Sequence, residues 1–317
     1  MESTTSIPEN KKMMKWRNPF KQMLDNPVIL KELRGRMRGR QAFVLLTVYL
    51  GLIAAFIVLV YNLLGLATSI TWDPSARQGA GKAIFGTVVL LELLLLSFIA
   101  PGLTAGAITS ERERQTFEIL RTTLLSARSL VLGKLSSALS YLFLLILSAL
   151  PIQSIAFLLG GVGLGEMVAS SLMLVITAVF FCTLGIFFSS FMKRTLTATV
   201  SSYAVILLSF LILAVIFFLI AYIESFSYNT FGSRAVQDFL TLILWFLIST
   251  NPLMAAVISE VILVDQQSLF VTHNSLFGGG SGPSTLISPW IIYVAFYLFL
   301  TLVLILLSIS FVKRPDR

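Results

Sequence analysis

The chain has 317 residues, 56% of them hydrophobic and only 12% charged, with a formal net charge of +8. An ordinary soluble domain is about 25% charged, so this composition excludes one and makes lipid the solvent for most of the surface. The positive charge does not mark a nucleic-acid binder, because the basic residues sort by side of a membrane.

Residues 1–40 form a basic arm with ten Lys or Arg. Ile29, Leu33 and Met37 recur every fourth residue, which predicts an amphipathic helix along the cytoplasmic membrane face; a solvated arm is the alternative, since Gly35 and Gly39 weaken a helix. The arm has no cleavable signal pattern, so the first apolar segment is expected to insert uncleaved. A single transmembrane domain follows over residues 41–312, then a cytoplasmic tail at 313–317.

Each apolar segment exceeds or approaches the roughly 20 residues that cross a bilayer as a helix, and helices alone satisfy their own backbone groups there. The predicted spans cover about 42–66, 83–108, 135–159, 167–192, 196–223 and 290–312. The fold class is therefore an all-α integral membrane protein, a six-span helical bundle. A polar loop holding Trp72 separates the first two spans, and a glycine-rich turn, GGVGLGE, separates the third and fourth. In the fourth, Gly185, Ser189 and Ser190 point to close helix packing, and the single cysteine, Cys182, reads as core filler.

Between the last two spans, residues 236–264 offer an apolar run too short to cross, broken at Asn251-Pro252. They are expected to form re-entrant helices in the outer leaflet, with a full extra hairpin as the competing reading. A flexible stretch with Gly278–Pro283 precedes the last span, and the one histidine, His273, falls in an outer loop without a metal-ligating cluster.

With both ends cytoplasmic, 20 Lys and Arg lie inside and three outside, as the positive-inside tendency requires. Glu92 is the one carboxylate near the middle of a span. It must face the bundle interior, where it is a neutral hydrogen-bonded group at a helix or dimer interface, a lining of the substrate path, or a proton relay.

The segment after the second span is predicted to be a cytoplasmic helix over about 110–125. Ser110 stands at its cap, and Glu111 and Glu113 complement its dipole. Phe117, Leu120 and Leu124 make a short apolar stripe beside Glu113, Arg114, Glu118 and Arg121. Such a stripe suits a partner's groove; a charged loop packed on its own spans is the alternative.

The stretch LTAGAITSERERQTFEILRTTLLSARSLVLGK resembles the intracellular segment of ABC-2 type permeases, with Glu-Arg-Glu, Thr-hydrophobic-Glu and a Gly-Lys opening the third span. NPVILKELRGRMRGR is similar to the amphipathic helix those permeases carry before span one, and Asn251-Pro252 to their outer re-entrant region. The resemblance covers essentially the whole chain, and its specific part is Ile108–Lys134. It implies a non-catalytic permease subunit of an ATP-driven exporter in a plasma or prokaryotic inner membrane. It implies a coupling helix that enters a cleft on a separate ABC ATPase, with Phe117 as main contact and Glu111, Arg112, Glu113, Thr116, Glu118 and Leu120 around it. It also implies a second permease subunit, identical or similar.

A phosphate-binding loop needs GxxxxGK followed by Ser or Thr. Gly81-Lys82 is followed by Ala83 and Gly133-Lys134 by Leu135. No cofactor, metal or catalytic residue is expected in this chain, ATP and Mg belonging to the partner. The rival classes are an ion-coupled secondary transporter, which predicts intramembrane charge pairs, and a non-transporting scaffold.

Overall fold

The computed structural model describes residues 40–67, 74–117, 126–230, 234–266, 270–273 and 285–313. The amphipathic arm before Arg40, Trp72, Glu118 and Leu120 with the rest of 118–125, the glycine run at 278–283 and the tail after Lys313 lie outside the described residues.

Among the described residues, six helices are long and apolar enough to cross a membrane: α1 (Arg40–Ala67), α2 (Pro74–Thr104), α4 (Ala127–Leu159), α5 (Leu164–Phe191), α6 (Thr195–Thr230) and α9 (Pro289–Lys313). The short α3 (Thr109–Glu113) lies between α2 and α4; α7 (Arg234–Thr250) and α8 (Pro252–Gln266) lie between α6 and α9. Several helix ends depart from the sequence reading, among them the end of α6, which runs on to Thr230. Helix α2 begins at Pro74, where a proline is tolerated because the first amides have no helical partner. Its regular turns stop at Thr104, short of Ile108. Helix α4 starts at Ala127, eight residues early, because the Ser126 hydroxyl accepts the Ser129 N–H at 3.2 Å and caps it.

The bundle is organised around α5, 67% buried over its most apolar window against 11% for α1. It packs most extensively on α9 and α2. Gly185 permits the approach to α2: a Cβ there would collide with the Thr104 hydroxyl. Cys182 is wholly buried in the same face. Thr177 and Tyr293 share a hydroxyl–hydroxyl contact of 2.7 Å between α5 and α9. Helix α1 lies at the periphery, and Phe43, Val44 and Val48 expose more than half their surface, as suits side chains that face hydrocarbon.

Gly160 and Gly161, at φ of +85° and +96°, make the turn from α4 to α5. A side chain at Gly161 would meet the Gln78 backbone of α2. At the other end of the sequence, α7 and α8 bend by 110° about Asn251. Asn251 Oδ1 accepts the N–H groups of Leu253 and Met254 and starts α8, with Pro252 in the first helical position. The segment before α9 contains an antiparallel pair, β1 (Val271–His273) and β2 (Thr285–Ile287), on either side of the glycine run in sequence. The Trp245 indole N–H donates to Ile287 O at 2.8 Å and fixes the pair to α7.

Candidate functional site

Of the residues expected to couple to a partner, the described ones, Glu111, Arg112, Glu113, Thr116 and Phe117, sit in an elbow where α2 gives way to α3. Beyond Thr104 the chain turns, and the amides of Ile108 and Thr109 lose their helical acceptors. Ser189 Oγ of α5 accepts both, at 2.8 and 3.1 Å. The cap therefore comes from another helix, and Ser110, the expected cap, makes no such bond. In sequence, Ser189 was visible only as a small residue for packing.

The elbow then ends quickly. Gln115 adopts φ +58°, its N–H donates to Arg112 O, and Thr116 N–H donates to Glu111 O, both at 3.0 Å. That pair of bonds is a Schellman closure, usually built on glycine. The helix expected over 110–125 is thus interrupted after Glu113, and the chain re-enters the protein at Phe117.

Phe117 is 4% exposed and belongs to the main core cluster. The Arg112 guanidinium lies over its ring, 5.1 Å from the centroid. Phe117, expected as the main contact with a partner, is thus packed into the core of its own chain. A lone phenylalanine beside four charged residues gains more by burial against its own spans than by exposure.

Its neighbours brace the elbow. Glu111 Oε1 accepts from Lys134 Nζ at 2.7 Å, and Lys134, near the start of α4, is only 5% exposed. Arg112 donates from Nη1 to Met192 O at 3.0 Å, just past α5. Glu113 accepts the Thr195 N–H at 2.7 Å and the Thr195 hydroxyl at 2.9 Å, at the first residue of α6. Thr116 donates to Glu111 O at 3.2 Å within the elbow. Three other spans are tied to five residues. Glu113, Arg114, Gln115 and Thr116 remain exposed at the tip.

Glu92 sits apart, wholly buried between α2 and α4. Gln153 Nε2 lies 3.0 Å from both of its carboxylate oxygens. Sequence reasoning missed Gln153, although an amide two residues after the span's proline was a visible signal for a polar partner. Tyr49, 1% exposed, has a hydroxyl without a partner among the described residues, as does Gln153 Oε1. Glu260 is half-buried and lines a small cavity with Ser259 and Ser170. No group of three or more metal-ligating side chains occurs among the described residues.

Comparison with individually curated proteins gave no match. The sequence pattern of one known family, described as "ABC-2 family transporter protein", matches residues 27–317. That range takes in all six apolar helices, the elbow and the Asn251 corner, and the chain therefore belongs to the ABC-2 transporter family, as a multi-pass membrane permease of an ABC transporter.

Proposed function

We propose that this permease is the membrane half of an ATP-driven exporter, worked from its elbow by a separate ABC ATPase subunit. The single observation that carries the reading is the bracing of Thr109–Phe117 to α4, α5 and α6 by separate polar contacts. A push on the exposed tip at Arg114–Thr116 reaches three spans without an intervening flexible link. Force of that kind is what nucleotide-driven closure of two ATPase subunits supplies. Glu118 and Leu120 follow the tip in sequence and complete the docking face; Phe117 anchors it from inside.

The orientation that goes with this reading puts the elbow and both chain ends in the cytoplasm, where 20 of the 23 Lys and Arg then lie. The bent helices α7 and α8 sit in the outer leaflet as re-entrant elements. Two copies, or one copy and a similar permease, line the path, and a hydrophobic or amphipathic substrate suits its few polar wall residues. ATP and Mg are held by the ATPase.

The test is a photoreactive amino acid at Arg114 or Gln115 in the chain coexpressed with its ATPase. A cross-link to the ATPase, absent when the same group is placed at Thr285, is expected. No cross-link at either elbow position, or labelling of the tip from the outer face, would overturn the assignment.

A further inference from the structure

The first two spans leave a groove of about 470 Å³ between them, within the range of sites that take small organic ligands. Val44, Leu45, Val48 and Leu52 of α1 and Leu95 and Ile99 of α2 form its walls. The α1 residues share one helical face, and from Arg40 to Leu52 that face runs about 18 Å, over half the depth of a hydrocarbon core. Arg40 stands at one end and is the only charged residue in the lining among the described residues. Tyr49 lies deep in the groove, and its hydroxyl has no partner among the described residues. The walls are otherwise apolar.

This combination selects its occupant. An apolar channel open to the bilayer takes an acyl chain in preference to a soluble molecule. A guanidinium at its mouth favours a phosphate, which it meets with two parallel N–H donors. A buried hydroxyl donor lacking an acceptor is costly until an oxygen reaches it, and an ester-linked chain brings one. A second copy of this chain would bring apolar side chains to the walls, but nothing in that match uses Arg40 or Tyr49.

We propose that the groove between α1 and α2 binds an anionic phospholipid of the cytoplasmic leaflet, its phosphate on Arg40 and one acyl chain along Val44, Val48 and Leu52. The leaflet rests on the orientation given under Proposed function; the site itself does not. Lipid so placed lies against Tyr49, behind which Glu92 and Gln153 join α2 to α4.

The experiment uses the full-length protein in phosphatidylcholine nanodiscs, with phosphatidylglycerol bearing a photoreactive acyl chain. Adducts are expected to concentrate on Val44, Val48, Leu95 and Ile99. Arg40→Gln is expected to lower their yield about fivefold, the worth of one basic residue near an anionic headgroup. Val48→Trp, at a side chain more than half exposed, is expected to fill the groove and abolish adducts there without changing the melting temperature. Equal yields from a phosphatidylcholine probe would overturn the proposal, as would adducts spread evenly over α6 and α9. Disulfide trapping of two copies through Val44→Cys would also overturn it and assign the groove to a subunit interface. Labelling of Arg40→Cys by a membrane-impermeant thiol reagent reads the orientation separately: reaction from the outer face would overturn the leaflet while leaving the adducts intact.

Discussion

The hydroxyl oxygen of Ser189 accepts the backbone N–H of Ile108 at 2.8 Å, so the break at the end of α2 is finished by a side chain from α5. It serves Thr109 as well. Ser189→Ala leaves two buried amides without an acceptor, each worth about 1–3 kcal/mol of desolvation when unsatisfied. A clear fall in melting temperature of the purified protein is expected, and Ser189→Thr, which keeps the hydroxyl, should recover part of it.

Gly185 and Thr104 set the distance between the same two helices. Gly185→Ala places a methyl group on the Thr104 hydroxyl, and overpacking of that kind costs about 1–3 kcal/mol. Adding Thr104→Ala removes the hydroxyl in the way and should restore part of the loss, the Thr104 Cβ and Ala105 N remaining close at 3.1 and 3.2 Å. Thermal unfolding of the single and double variants decides it; a Gly185→Ala protein as stable as the parent would refute the close contact.

The Lys134–Glu111 pair ties the elbow to α4 through a cation that is almost fully enclosed. Removing either partner takes a close opposite charge from the other, so Lys134→Met and Glu111→Gln should each destabilise. The double variant should cost less than their sum, with a coupling of about 0.5–3 kcal/mol in a double-mutant cycle. A coupling near zero would show that the pair transmits nothing.

Phe117 and Arg114 separate packing from docking. Phe117→Ala empties a core position and should cost about 3–5 kcal/mol, measured as unfolding. Arg114→Ala, at the exposed tip, should leave stability within about 0.5 kcal/mol. It should nevertheless lower substrate-stimulated ATP hydrolysis by the reconstituted complex.

Gln153→Leu strips Glu92 of the amide that bridges its two oxygens. A buried carboxylate left without its donor costs more than a neutral group would, so destabilisation above about 1–3 kcal/mol is expected. Pairing it with Glu92→Leu replaces the polar contact by an apolar one of similar size, and stability should return toward the parent value. Transport by that stable double variant then reports whether the carboxylate has a role beyond packing.

The spans were legible because each is a run of apolar residues whose length the bilayer dictates, and Asn251-Pro252 was legible because the pair carries its own capping chemistry. The elbow was not. Its helix ends at Glu113 and is closed off by Gln115, a residue with no sequence signature for positive φ, and it is held by Ser189, Met192 and Thr195, some 80 residues away in the chain. The pattern of Phe117, Leu120 and Leu124 predicted a continuous helix because periodicity reports a face and says nothing about what covers it. Glu92 announced itself as a charge in lipid, whereas Gln153 and Tyr49 became meaningful only when the packing of α1, α2 and α4 brought them near it.

Asn251 does more than begin α8, since its amide Nδ2 also donates to Ser209 O of α6 at 2.7 Å. Glu113 grips the same helix at Thr195, and the stretch from Thr195 to Ser209 measures about 21 Å at 1.5 Å per residue. One rigid lever thus has its handle in the elbow and its far end clamped to the bent pair α7 and α8. Under the proposed coupling, a tilt imposed at Thr195 is expected to reach the Asn251 corner as a displacement of that pair, since α6 runs without a break from Thr195 past Ser209.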